Sequence, residues 1–141
     1  ETQHLGIDCN KNGFSIKYNV GSSSKNGADG SIITSGTAIA DTWMLGYTNN
    51  KWKFTFGQPL AVIQGEMEMA LATSISNDGV HEYTNYKINI EPEHRHTVAT
   101  VGYTDSITDS VSLNMNIEYN NNYANQDQDT WSLTTGVKYE F

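Results

Sequence analysis

Thr130-Trp-Ser-Leu-Thr-Thr-Gly-Val-Lys-Tyr-Glu-Phe141 is the stretch whose reading decides the fold. Trp131, Leu133, Thr135, Val137, Tyr139 and Phe141 share one parity; Thr130, Ser132, Thr134, Gly136, Lys138 and Glu140 share the other. Successive side chains of a strand point to opposite faces, so this is a ribbon with one mostly apolar and one polar side.

The same period-two pattern recurs upstream, and nowhere do apolar residues keep helical spacing over three turns. Phe14, Ile16, Tyr18 and Val20 alternate with Ser15, Lys17 and Asn19. Trp43, Leu45 and Tyr47 precede Asn49-Asn50, and Trp52, Phe54 and Phe56 follow it. Read as a hairpin with Asn49-Asn50 as a two-residue loop, this segment pairs Tyr47 with Trp52, Leu45 with Phe54 and Trp43 with Phe56. Asn tolerates the positive φ that such a loop requires. All six side chains then lie on one face, and a one-residue slip would reverse them.

Pro59 has no N–H to donate, which predicts a bulge, an edge or a loop nearby. Met67, Met69 and Leu71 follow on one parity, then Tyr86, Ile88 and Ile90 after the turn signal Asn77-Asp-Gly79. Pairing Ile90 with Ala99, Ile88 with Val101 and Tyr86 with Tyr103 keeps that parity. Val111 to Tyr119 and Thr130 to Phe141 complete the set, separated by the polar stretch Asn120–Asp129. Gly21 to Gly30 (GSSSKNGADG) reads as a polar loop and Asn10-Lys-Asn-Gly13 as a turn.

The expected fold is all-β: an antiparallel meander of about eight strands, closed as an up-and-down barrel. Residues 1–12 are expected as an N-terminal extension and 13–141 as the barrel, in one domain of 141 residues.

A Tyr two places before a terminal Phe, on an alternating strand, resembles the closing strand of bacterial outer-membrane β-barrels. That resemblance implies that Tyr139 and Phe141 act as a signal to the barrel-assembly machinery. Strands of about 9–11 residues cross a bilayer, and eight of them plus loops come close to this chain length. Trp43, Tyr47, Trp52, Tyr103, Tyr119 and Trp131 lie near strand ends on the apolar parity, as an interfacial girdle requires. Lys17, Lys53, Glu66, Glu68, Lys87, Glu118, Lys138 and Glu140 lie on the other parity and carry both charge signs, which suits an enclosed interior. The same alternation also describes a soluble sheet with the apolar parity as its core, because exchanging inside and outside leaves the pattern unchanged.

Composition narrows the function classes. Net charge is −8 with only 8 Lys and Arg, and no basic stripe is present, so nucleic acid is not an expected partner. The chain starts as a processed one would, without a signal peptide. Cys9 is the lone cysteine, which rules out an internal disulfide. His94 and His96, even with His81, Glu91 and Glu93 nearby in sequence, lack the ligand spacings of a zinc site and read as solvated loop residues. Glu66 and Glu68 read as a charged strand face rather than a glycosidase pair, and Asp127 and Asp129 as a solvated loop rather than a calcium site. Ser35-Gly-Thr-Ala38 has no His and Asp partners in a strand-to-helix setting. No catalytic residue, cofactor or metal is expected.

Gly57-Gln-Pro-Leu-Ala-Val-Ile-Gln-Gly65, then Met67, Met69 and Leu71, then Ile88-Asn-Ile-Glu-Pro92 with Arg95, then Gly102-Tyr103 resemble the C-terminal region of secreted subtilisin-like serine proteases of Gram-negative bacteria. There a Gln-Pro-Leu-Arg-Val segment precedes a Ser-Gly turn, a Pro-x-Gly-Arg-Glu segment follows, and aromatic strands end the chain. The resemblance covers roughly 43–141 and rests on Gln58, Pro59, Leu60, Val62 and Gly65. Ala61 replaces the usual Arg, and His94 and His96 replace the usual Gly and Glu. It implies a non-enzymatic, autotransporter-like β-domain that anchors or exports a passenger lying before Glu1, in the outer membrane. The competing expectation is a secreted, soluble all-β module that self-associates or binds a partner by strand addition.

Overall fold

The computed structural model describes residues 1–28 and 30–139; Asp29, Glu140 and Phe141 lie outside the described residues. Eight strands follow one another: β1 (Thr2–Lys11), β2 (Phe14–Asn26), β3 (Ile33–Thr48), β4 (Trp52–Ile75), β5 (His81–Asn89), β6 (Thr97–Thr108), β7 (Val111–Asn121) and β8 (Thr130–Tyr139). They form one antiparallel sheet in the order β1-β2-β3-β4-β6-β7-β8, with β5 paired to β4 off this path.

The all-β meander therefore stands, with corrections. Residues 2–11, expected as an extension, form β1, which turns into β2 through Asn12 (φ 52°) and Gly13 (φ 83°). Two consecutive positive φ values make the tight reversal whose twist matches the flanking strands, hence Asn-Gly. β2 also runs to Asn26, through most of the segment read as a polar loop.

The hairpin between β3 and β4 keeps its faces, and Trp43 still meets Phe56, but its tip is displaced and Tyr47 and Trp52 take other partners. Asn49 N–H donates to the Trp52 carbonyl at 2.9 Å, so Asn50-Lys51 is the tip. Asn49 Oδ1 accepts from the N–H groups of Lys51 (3.0 Å) and Trp52 (2.8 Å). Its side chain thus closes the turn in place of a positive φ. Tyr47 meets Phe54 (centroids 6.4 Å) rather than Trp52, and Trp52 meets Tyr103 (4.7 Å). Asn49→Ala removes both side-chain bonds and is expected to lower stability by about 1 kcal/mol, read as a shift in the denaturant midpoint of refolding.

The expected pairing of Tyr86–Ile90 with Ala99–Tyr103 does not form. Trp52–Gly57 of β4 pair with β6 (Trp52↔Tyr103 to Gly57↔Val98), and Glu66–Ile75 of the same strand pair with β5 (Glu66↔Asn89 to Ile75↔His81). Pro59 falls where β4 exchanges one partner for the other, so its missing donor breaks no ladder bond to either.

The residues group into two compact units. One holds Glu1–Leu5, Val20–Ala40 and Val62–Pro92. Within it Glu68 opposes Lys87, whose Nζ lies 3.3 Å from Glu68 Oε1, while Ser35 donates to the other oxygen at 2.9 Å. The other holds Gly6–Asn19, Asp41–Ala61 and Glu93–Phe141, and it carries the site described next.

Candidate functional site

In the second unit cross-strand rows run over β4, β6, β7 and β8. Three outer rows are Trp52–Tyr103–Met115–Thr135, Phe54–Val101–Ile117–Leu133 and Phe56–Ala99–Tyr119–Trp131. Between them, facing the opposite way, lie Lys53–Gly102–Asn116–Thr134, Thr55–Thr100–Glu118–Ser132 and Gly57–Val98–Asn120–Thr130. The alternation read from sequence is thus a physical two-sidedness.

Burial runs against what water selects. Ile117 is 44% exposed, Leu133 64% and Trp131 72%. The buried polar residues are Asp41 (9%), Gln58 (5%) and Asn120 (5%), and among the described residues the buried hydrophobic one is Ala61. A sheet stabilised in water by the hydrophobic effect buries its aromatic and aliphatic side chains, each worth about 1.5–3 kcal/mol. Here that surface is exposed over contiguous strands, far beyond scattered exposed side chains.

The aromatic residues singled out in the sequence gather into a chain of five rings and two separate pairs. Phe14, Tyr47, Phe54, Trp52 and Tyr103 form a chain of ring contacts with centroids 4.7–6.4 Å apart. Trp43 packs edge-on to Phe56 at 5.3 Å, and Tyr119 against Trp131 at 4.5 Å. Tyr139 is exposed at the far end of β8, whereas Phe141 lies outside the described residues.

The chain of rings and the Tyr119–Trp131 pair each hold a tyrosine whose hydroxyl is bonded to a carboxylate. Tyr103 Oη donates to Asp105 Oδ2 at 2.7 Å, and Lys51 Nζ reaches the same oxygen at 2.8 Å, which holds the Lys51 ammonium above its ordinary pKa. Tyr119 Oη donates to Asp129 Oδ2 at 2.8 Å, from the other end of the rows. Both rings thus lie on apolar surface while their hydroxyls bond carboxylates.

The sequence offered no warning of the order in the β7–β8 connection, read as a plain polar loop. Tyr123–Asn125 make a 3₁₀ turn, with Asn122, Ala124 and Asn125 at positive φ. Asp129 Oδ1 accepts from Asn121 Nδ2 (2.9 Å) and the Asn122 N–H (3.2 Å). His96, read as a solvated loop residue, is tied in: its N–H donates to Asn125 Oδ1 at 3.1 Å and its Nε2 lies 2.9 Å from Asn120 Oδ1. Asn120 in turn donates to Glu118 Oε1 at 2.9 Å.

The Tyr119 hydroxyl, then the Asn122 N–H, hold the Asp129 carboxyl below the ordinary aspartate pKa. A depressed folded pKa contributes stability that is fully present above the ordinary value and lost as pH falls through the lowered one. Protection of the Asn122 and Tyr123 amides, measured against their intrinsic exchange rates, is therefore expected to hold down to the ordinary aspartate range and to fall only in stronger acid. Asp129→Asn is expected to lower it already at neutral pH.

Of the motif residues, Gln58 is buried and donates to Asp41 Oδ1 at 2.7 Å, while the Thr42 hydroxyl donates to its carbonyl at 2.8 Å. Leu60 is exposed, Val62 half-buried and Gly65 buried. Together Gln58 and Asp41 form a small polar interior contact that the motif alone did not suggest. No family model, curated protein or solved structure matches the chain.

Proposed function

We propose that this chain is a membrane-embedded β-domain of the bacterial outer-membrane type, a barrel wall that anchors or exports a subtilisin-like passenger. The observation that carries this reading is the inversion of burial: Ile117, Leu133 and Trp131 are exposed on the apolar face, while Asn120 on the opposite face is buried. Hydrocarbon rewards the exposed surface that water penalises, and a hydrogen-bonded sheet satisfies its backbone groups in lipid when its edges are paired.

Dimensions agree. Trp131 and Tyr139 are eight residues apart on β8, about 26 Å along a strand rising ~3.3 Å per residue. A tilt of about 40° brings this to ~20 Å, close to the ~25 Å apolar band of such barrels. Tyr119, in the same row as Trp131, carries its bonded hydroxyl at one of these ends. The role is non-enzymatic: the domain's partners are lipid, the machinery that inserts barrels, and the passenger it carries. The subtilisin-like assignment rests on the Gln58, Pro59, Leu60, Val62 and Gly65 resemblance.

The experiment is refolding into phosphatidylcholine vesicles and into detergent-free buffer. The expected result is flotation with the vesicles and a gel band whose mobility changes on boiling. A detergent-free soluble monomer with full sheet content, excluded from vesicles, overturns the proposal.

A further inference from the structure

We infer that the polar face of β4, β6, β7 and β8 carries a binding site for a small free oxyanion, centred on Lys53, with inorganic phosphate its simplest ligand. Every residue involved lies in the second unit, so the site requires neither a closed wall nor a bilayer. A cavity of about 470 Å³ opens over this face, within the size range of small-molecule sites. Its lining holds two lysines, four asparagines and three threonines and, among the described residues, no Asp or Glu. The chain has 16 acidic against 8 basic residues. A concave surface without a carboxylate is where an anion meets least repulsion from such a chain.

Of the two lysines, Lys51 is matched by Asp105 at 2.8 Å. Lys53 forms no ion pair among the described residues, which leaves its ammonium to a ligand. Its row neighbour Gly102 has no side chain. A Cβ there would stand 3.6 Å from Lys53 Cβ and 3.5 Å from Asn116 Oδ1, so this glycine keeps open the space between the two side chains. Asn116 and Thr134, next along the row, make no side-chain hydrogen bond among the described residues. In the adjoining row Thr104 donates to Asn114 Oδ1 at 2.9 Å, which leaves Asn114 Nδ2 to donate elsewhere. One ammonium with amide and hydroxyl donors from β7 and β8 suits a ligand that presents charged oxygen acceptors on several sides. A cation meets the ammonium instead, and an uncharged sugar leaves Lys53 without a counter-charge.

The test titrates sodium phosphate into the full chain refolded in a phosphate-free nonionic detergent, with sodium chloride holding ionic strength constant. Protein that stays folded without detergent is titrated in buffer, so failure of the membrane reading leaves this test intact. Backbone and side-chain amide resonances are followed. The expected result is saturable shifts at Lys53, Asn116 and Thr134, with those of Glu118 and Asn120 little changed. Lys53→Gln is expected to weaken binding about tenfold. Lys53→Arg, and Lys11→Gln outside the cavity, are expected to leave it close to that of the native chain. Should Lys53→Gln fail to fold, the native shift map decides alone. Three results overturn the inference: shifts that never saturate or spread over the other lysines, equal binding by folded Lys53→Gln, or shifts that a short-chain phosphatidic acid produces and phosphate does not.

Discussion

Ile117→Arg is expected to abolish insertion into vesicles, while Asn116→Arg, one residue away, leaves insertion largely intact. Ile117 lies between Val101 and Leu133 in the middle of the apolar rows and is 44% exposed. If that face meets hydrocarbon, an arginine near mid-depth costs about 2–4 kcal/mol, roughly a 30- to 1,000-fold shift toward the unfolded chain. Asn116 is flanked by Gly102 and Thr134 on the polar face, where an added guanidinium stays in a polar setting. The check is the fraction of heat-modifiable, vesicle-floating protein for the two variants. In a water-soluble sheet with this exposure, Ile117→Arg would be close to neutral, so the two environments give opposite rankings.

The second large effect concerns the buried contact of Gln58 with Asp41. Gln58→Leu removes the amide that donates to Asp41 Oδ1 and leaves a carboxylate oxygen buried without that donor. Stranding a buried polar group costs about 1–3 kcal/mol, whereas replacing both partners by apolar groups of similar size is close to neutral. Gln58→Leu alone is therefore expected to lower refolding stability by about 2 kcal/mol, and the double variant with Asp41→Leu to recover most of it. Denaturant titrations of both single variants and the pair give the coupling directly. Additive losses would mean that the two side chains do not stabilise one another.

The alternation of Trp131, Leu133, Val137 and Tyr139 against Ser132, Thr134 and Gly136 was enough to define β8, and like patterns defined most other strands. Side-chain parity follows from the strand's own geometry, so it is legible locally. Pairing partners are not. Tyr47 can oppose Trp52 or Phe54 without changing face, and Asn49 chose between them through its own side-chain bonds. Tyr86, Ile88 and Ile90 match the parity of β6 as well as that of β4, and β4 is long enough to take both strands in succession. The bonds of Asp129, and of His96 with Asn120, join groups that the sequence presents as ordinary polar loop and strand residues.

Taken alone, the sequence determined that these residues form antiparallel ribbons with one aromatic-rich and one polar side, because period two is imposed by the backbone of each strand. Only the tertiary structure decided which strands share a ladder and hence which residues line up in each cross-strand row, since pairing is a relation among strands that the period-two pattern leaves open. It also decided that β5 stands off the main path, because the choice of edge depends on which ladder bonds β4 leaves open, and no single strand records that.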